Sequence, residues 1–237
     1  MAGKKHRKEV KDESKEFYEN PEVLAEQIGR TEELLAKNKT LVSWIGGVLV
    51  VAIAGFLLYG YYMDNQSKLA ADDMFQAVFY FEQDSLDLAL DGDGNNLGFV
   101  DIIDMYSRTE SANMSNYYAG VISLKKANYN QAILYLKEFS SSDLLVQARA
   151  YSLIGDAYME MDNFSEASSY YGKAANYKPN EYFSPIYLKK QAIAYEAQQE
   201  YSKAVECYAT IVDQFKTSSE VQEAKKEKAR LEALAAS

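Results

Sequence analysis

The chain has 237 residues, a formal net charge of −10, and a single cysteine and a single histidine. Cys207 and His6 cannot supply an intramolecular disulfide, a Cys/His zinc site or a histidine-based triad, and nothing else in the sequence predicts a cofactor or a metal. The first 39 residues hold nine basic and nine acidic residues, so the acidic excess belongs to the rest of the chain and disfavours nucleic acid as a partner. Cys207 is expected to be a small core residue.

Residues 1–39 are predicted to form a cytoplasmic tail that ends in a short amphipathic helix. The first 19 residues are charged and poor in apolar side chains, which is typical of disorder. Asn20 is a suitable helix cap and Pro21 suits the first helical position. Helical spacing to about Lys37 then gives one face formed by Leu24, Ile28, Thr31 and Leu35. This helix has three interpretations: it lies on the membrane surface, it docks a cytosolic partner, or it is a solvated lead-in to the next segment.

A transmembrane helix is predicted over residues 40–63. The 23 residues from Leu41 to Met63 carry no charge, and as a helix they span roughly 34 Å, enough to cross a bilayer core. Trp44 lies near one end, and three tyrosines lie near the other, as expected at membrane interfaces. A loose stripe of small residues would let another membrane helix approach closely; it consists of Ser43, Gly47 and Ala54.

The distribution of basic residues predicts the orientation of this span. Lys37 and Lys39 precede it and further basic residues lie behind them, whereas only Lys68 follows closely, so the N-terminus is expected to be cytoplasmic. The apolar run begins late and continues past the small-x-small site at 52–54, which indicates an uncleaved anchor. We therefore expect a single-pass protein of the inner (cytoplasmic) membrane with a periplasmic domain; a eukaryotic organelle membrane is the alternative.

Residues 64–111 are predicted to be a helical extension and a degenerate first repeat. The helical pattern continues to Leu90 and is followed by the Asp91–Asn96 segment, which resembles the start of a calcium loop. Asn96, however, stands where such a loop needs glycine, and Ile102 where it needs a bidentate glutamate. The segment is therefore predicted to be a turn between two helices.

From there to Phe215 the apolar pattern repeats every 35 to 37 residues. Phe99, Leu136, Tyr171 and Tyr208 occupy equivalent positions, 37, 35 and 37 residues apart. Four residues before each is the position where two helices of a hairpin are expected to approach most closely, occupied by Asn95, Ala132, Ala167 and Ala204. A period of this length indicates stacked helical hairpins, because one hairpin cannot bury its apolar faces alone.

The central repeat resembles the tetratricopeptide repeat (TPR) family at its signature positions, which are Tyr151, Ile154, Gly155, Tyr158, Ala167, Tyr171, Ala174 and Pro179. The neighbouring repeats keep part of this pattern. The resemblance implies an all-α fold in which one N-terminal transmembrane helix is followed by a TPR α-solenoid of helical hairpins, with three TPR units over 112–218. A C-terminal capping helix is expected over 219–237, with four apolar residues facing inward: Val221, Ala224, Leu231 and Leu234.

In TPR domains the first helix of each unit lines a concave groove, so the resemblance also implies a binding site. The corresponding residues are Tyr117, Val121 and Leu124 in the first unit, Arg149, Ser152, Asp156 and Met159 in the second, and Lys189, Ile193 and Glu196 in the third. The Lys and Asn pairs that clamp a chaperone's C-terminal carboxylates are missing there, so protein or peptide binding through aromatic and apolar anchors is expected. The alternative is a solvated face, with binding elsewhere.

A cytosolic tail, one span and an acidic TPR domain together resemble bacterial envelope proteins of the ancillary translocon-subunit type. This resemblance implies a membrane-tethered adaptor that binds exported proteins or chaperones near the secretion channel. The alternative is a scaffold subunit of an envelope-biogenesis or cell-division complex, held mainly by the span and a membrane-embedded partner. The sequence does not predict an enzyme, because it lacks a nucleophile beside a base, a phosphate loop and a dinucleotide fingerprint.

Overall fold

The computed structural model describes residues 36–236, together with Ala25 and Gly29. The helix expected after Pro21 therefore lies almost wholly outside the described residues. Within the described part the chain is helical and contains no strand. It divides into two compact units, Met1–Tyr61 and Tyr62–Ser237.

The described residues form ten helices, which we number in chain order. They are α1 (Lys39–Glu82), α2 (Leu86–Asp91), α3 (Phe99–Met105), α4 (Glu110–Lys125), α5 (Tyr129–Glu138), α6 (Leu144–Glu160), α7 (Phe164–Asn176), α8 (Ser184–Ala197), α9 (Tyr201–Gln214) and α10 (Val221–Ala235).

Helix α1 contains the apolar segment that the sequence singles out. It is long and apolar enough to span a membrane, and it is the one such helix among the described residues. None of the residues in the most apolar stretch of this helix is buried inside the protein, and Trp44 is 71% exposed. As the sequence predicts, the helix continues without a break beyond Met63. It ends, however, at Glu82 and not at Leu90, because the left-handed residue Asp84 starts a turn that leads into α2.

Four connections between consecutive helices share one geometry. In each, a residue with a φ of 55° to 59° follows the first helix. The backbone N–H of the residue after it donates to the carbonyl of the residue five positions earlier in the chain, at 2.8 to 2.9 Å. This left-handed residue and its long-range bond form a Schellman cap, which ends a helix and reverses the chain. Helices α1, α4, α6 and α8 are therefore first helices of hairpins; the left-handed residues are Asp84, Ala127, Asp162 and Gln199.

Small buried residues recur where the two helices of each hairpin meet. On the first helices they are Ala77, Gly120, Gly155 and Ala192, and on the second helices Ala89, Ala132, Ala167 and Ala204. The approach is close: a Cβ built on Gly155 would lie 2.6 Å from the Tyr171 ring, and one on Gly120 would lie 2.5 Å from the Leu136 side chain. A larger residue at these positions would force the helices apart.

The first hairpin differs from the sequence prediction at one position. Asn95 was predicted to lie where two helices approach closely. This prediction is wrong, because Asn95 is exposed in the loop between α2 and α3. Ala89 takes that position and is fully buried, in one core cluster with Ala77 and Phe99. The second arm of this hairpin is interrupted by residues 92–98, and this insertion shifts the register. The predicted turn between two helices is confirmed.

The core is assembled from small and aromatic residues of successive helices. Cys207 is 7% exposed in the largest cluster, which confirms its expected place in the core. On α10, Val221, Ala224 and Leu231 are buried as predicted, but Leu234 is 41% exposed because it lies in the last turn, beyond the cluster that covers the other three.

Candidate functional site

The ten residues predicted to bind partners lie on the first helices α4, α6 and α8, and we call them the first-helix surface. Their environments differ from helix to helix. Some are packed into the core, some are engaged in ion pairs with the protein itself, and a few are open to solvent.

On α4 the predicted residues are mainly packing residues. The Tyr117 ring lies 5.3 Å from that of Phe139 and 5.9 Å from that of Tyr118, between ring centroids. Burial raises the pKa of Tyr117, and the nearby Arg149 guanidinium partly offsets that rise. Val121 is half-buried, and Leu124 packs against the core cluster between α5 and α6. The three predicted residues of this helix are therefore partly buried by the domain itself.

On α6 the four predicted residues have four different environments. Arg149 is exposed and forms no ion pair with a carboxylate of the described residues. Ser152 is only 3% exposed, so it contributes little open surface. Met159 is half-buried against the core cluster that contains Tyr171. Asp156 is half-buried and is held by other side chains of the domain.

Asp156 joins three helices. Lys190 on α8 donates to both of its carboxylate oxygens, at 2.7 and 2.8 Å, and the Tyr171 hydroxyl on α7 donates to it at 2.6 Å. Lys190 also donates to the Ser152 hydroxyl at 3.3 Å. Burial and the Asp156 carboxylate raise the pKa of Tyr171 far above its usual value, so Tyr171 remains a donor at physiological pH. A partner that contacts Asp156 would therefore meet a carboxylate whose charge is already paired with Lys190.

The charged residues predicted on α8 pair with the last helix. Lys189 lies 2.5 Å from carboxylate oxygens of both Glu220 and Glu223, and Glu196 lies 2.6 Å from the Arg230 guanidinium. Helix α10 and the residue before it thus supply ion-pair partners for both charged residues at this end of the first-helix surface. The sequence placed Lys189 and Glu196 in the groove without indicating these partners.

Two isoleucines on α8 remain open. Ile193 is 49% exposed and Ile186 is 41% exposed, and seven residues correspond to nearly two helical turns, so both lie on one face. The sequence prediction missed Ile186. It follows Arg149 by 37 residues, one repeat length, so the period itself could have identified it. Arg149, Ile186 and Ile193 are therefore the accessible residues around which binding can be argued.

The resemblance to a calcium loop has a structural explanation that needs no cation. The Asp93 carboxylate accepts hydrogen bonds from the Tyr80 hydroxyl at 2.6 Å, from the backbone N–H groups of Asn95 and Asn96, and from the Asn96 side-chain amide. Its oxygens are occupied by donors of the chain itself. Across the described residues, no group of three or more His, Cys, Asp and Glu side chains is placed to hold a metal ion.

The apolar part of α1 and the accessible residues of the first-helix surface are the features that bear on function. Comparison with protein-family models gives no match, and comparison with curated proteins finds no similar sequence.

Proposed function

We propose that the protein is a membrane-tethered TPR adaptor that binds protein segments on the periplasmic side of the inner membrane, beside the secretion channel. The single observation that carries the proposal is the combination of an apolar span with an exposed strip of Arg149, Ile186 and Ile193 on successive first helices. The TPR-like sequence pattern, the four equivalent turns and the paired small residues support a solenoid of this family.

The chemistry of the strip indicates what a partner needs. The Arg149 guanidinium forms no ion pair with a carboxylate of the described residues, so it can pair with one on a partner. The two isoleucines provide apolar surface about two helical turns apart. A segment with an acidic side chain next to apolar ones complements both. Tethering raises the local concentration of the adaptor around the channel, so modest contacts are sufficient.

The test uses photo-crosslinking in intact membranes with the full chain. A photoreactive residue at Ile193 is expected to capture channel subunits, chaperones or exported proteins, which mass spectrometry identifies. The matched control is the same residue at Leu134, which is 59% exposed but lies on α5, a second helix. Capture of the same proteins from both positions would contradict recognition by the first-helix surface.

A charge variant makes the same test quantitative. Arg149→Glu is expected to reduce capture at Ile193, because it places a carboxylate where the proposed partner presents one. Lys225→Glu makes the same change of charge on the exposed side of α10 and is expected to leave capture unchanged. Equal capture by both variants and the parent protein would refute the role of Arg149.

The proposed orientation has its own test. Ser165→Cys puts an accessible thiol on α7, and Cys207 gives little background because it is buried. A membrane-impermeant maleimide added to cells with a permeabilised outer membrane is expected to label Ser165→Cys without lysis of the inner membrane. Labelling that requires lysis would reverse the assigned topology.

A second function, a scaffold held by its span, is favoured by one observation on α1. Nothing lies within 4 Å of a Cβ built on Gly46, Gly47, Gly55 or Gly60. Glycine inside a helix costs about 1 kcal/mol relative to alanine, and small residues let membrane helices pack closely. Under this reading Gly47→Leu abolishes co-purification of a membrane partner while Arg149→Glu has no effect; the opposite pattern supports the adaptor.

A further inference from the structure

A cavity of about 340 Å³ lies between α5, α6 and α7 and is not part of the first-helix surface. Its walls contain apolar and aromatic side chains together with cationic and amide groups. The lining residues used below are Leu136, Lys137, Gln147, Tyr151, Tyr170 and Lys173.

The residues of α6 that line the cavity lie on the opposite side of the helix from Arg149. Gln147 and Tyr151 each lie two residues from Arg149, which is about 200° around a helix. A ligand in the cavity and a partner on the first-helix surface would therefore contact different faces of α6. The inference below does not depend on the proposed adaptor function.

Two lysines converge on this cavity without a counter-charge. The Nζ atoms of Lys137 and Lys173 lie 5.6 and 4.0 Å from the centroid of the Tyr170 ring. Neither forms an ion pair with a carboxylate among the described residues, although the domain is acidic and most of its other lysines are paired. The Lys137 ammonium donates to the Tyr158 hydroxyl at 3.1 Å, and this hydrogen bond raises the pKa of Lys137 further above neutrality.

A buried amide in the cavity wall also has an unused donor. Gln147 is only 5% exposed, and its Oε1 accepts the Ser141 N–H at 2.6 Å, which directs its NH₂ group away from that bond. Its Nε2 makes no hydrogen bond to any described residue. The Nε2 atom is itself accessible to solvent, so the NH₂ group is free to donate to a ligand in the cavity.

We infer that this cavity binds a small organic carboxylate, with Lys137 and Lys173 facing its charge, the Gln147 amide donating to it, and the apolar wall covering its stem. A carboxylate offers two acceptor oxygens to the ammonium and amide donors. Leu136 and Tyr151 provide apolar surface for a short hydrocarbon or aromatic group. The source of the carboxylate is either a free acid or the terminus of a peptide.

Benzoate is a suitable probe, and benzamide is its neutral counterpart of the same shape. The full chain in detergent micelles, labelled with ¹⁵N-glutamine, is titrated with each, and the side-chain resonance of Gln147 is assigned by its loss in Gln147→Met. Benzoate is expected to shift this resonance in a saturable manner, and benzamide is not. A Gln147 resonance that responds to neither compound would overturn the inference.

The charge requirement is tested with a matched pair of double variants. Lys137→Met with Lys173→Met is expected to weaken benzoate binding by at least about tenfold, because it removes both charge-assisted contacts. Lys216→Met with Lys225→Met removes the same charge from exposed sites elsewhere and is expected to bind like the parent protein. Equal weakening in both would overturn the inference. If the first pair does not fold, Lys173→Met alone carries the same expectation.

The two sources of the carboxylate are separated by a short peptide. Acetyl-Ala-Ala-Phe with a free C-terminus is compared with its C-terminal amide in the same titration. Competition with benzoate by the free acid but not by the amide identifies a peptide terminus as the ligand. Binding of benzoate without competition by either peptide identifies a free organic acid.

Discussion

Lys190 on α8 and Asp156 on α6 form a two-pronged ion pair, with the Lys190 ammonium 2.7 and 2.8 Å from the two carboxylate oxygens. The pair joins the first helices of two successive hairpins directly. The Tyr171 hydroxyl reaches the same carboxylate from the helix between them, at 2.6 Å. Asp156 therefore ties α6, α7 and α8 together on the first-helix surface.

Replacing Asp156 by asparagine tests this connection. We expect Asp156→Asn to lower the free energy of unfolding by about 1 to 2 kcal/mol, a modest value because about a third of both the Asp156 and the Lys190 side chain is exposed. Urea unfolding of the full chain in detergent, followed by circular dichroism, measures the change. Asp213→Asn, an exposed site on α9, is the control and should be neutral. Equal losses in the two variants would contradict the assigned role.

Substitution by alanine is expected to have opposite effects on stability at two glycines, Gly155 and Gly172. A Cβ at Gly155 would meet ring carbons of the buried Tyr171 at 2.6 and 2.7 Å, so Gly155→Ala is expected to destabilise the domain by about 1 to 3 kcal/mol. A Cβ at Gly172 would meet the end of the flexible Gln191 side chain at 2.7 Å, which can move. Gly172→Ala is therefore expected to be neutral or stabilising, because alanine favours the helix by up to about 1 kcal/mol. Thermal unfolding of both variants measures these effects. A Gly155→Ala protein as stable as the parent would show that the hairpin can accommodate a methyl group between its helices, contrary to the prediction.

Burial raises the pKa of the Cys207 thiol to about 12. In the unfolded chain this pKa is about 8.5. We expect a thiol reagent at pH 8 to label Cys207 slowly in the folded protein and rapidly in urea, as followed by mass spectrometry. The folded state holds the thiol proton more tightly, so this contribution to stability is complete below about pH 8.5 and is lost as the pH rises toward 12. Fast labelling of the folded protein would contradict the burial of Cys207.

The loop between α2 and α3 depends on one carboxylate. Hydrogen bonds from Tyr80, then from Asn96 and Asn95, hold the pKa of Asp93 well below its usual range. We expect Asp93→Ala to open the loop to subtilisin between the two helices, whereas Asp104→Ala, at an exposed position on α3, leaves it protected. Gel analysis of timed digests gives the comparison.

The pH dependence of this loop has a defined sign. Because the folded pKa of Asp93 is lowered, its stabilisation is complete above the usual carboxyl pKa of about 3.9 and is lost as the pH falls toward the lowered value. Hydrogen exchange of the Asn95 and Asn96 amides, measured from pH 6 downward, reports this loss. Amides that are unprotected already at pH 6 would contradict the hydrogen bonds that define the loop.

The pattern of apolar and small residues along the chain was sufficient to predict much of the fold. The uncharged run from Leu41 to Met63 identified the apolar segment, because length and composition alone decide whether a helix can cross a bilayer. The spacing of Gly155, Ala167 and Tyr171 identified the contact between the two helices of a hairpin, because a short turn leaves few ways for them to pack. The same reasoning failed at Asn95, where the insertion before Phe99 changes the register without changing the apolar pattern.

The sequence by itself determined the all-helical class, the apolar span and the residues on each helix face, because these follow from a period of 3.6 residues and from chain length. Only the tertiary structure decided which of those residues are accessible. Lys189 pairs with Glu223, 34 residues away, and Gln147 and Lys173 line the same cavity between hairpins. Such contacts depend on how one hairpin is rotated and displaced against the next, and periodicity within a single helix carries no record of that arrangement.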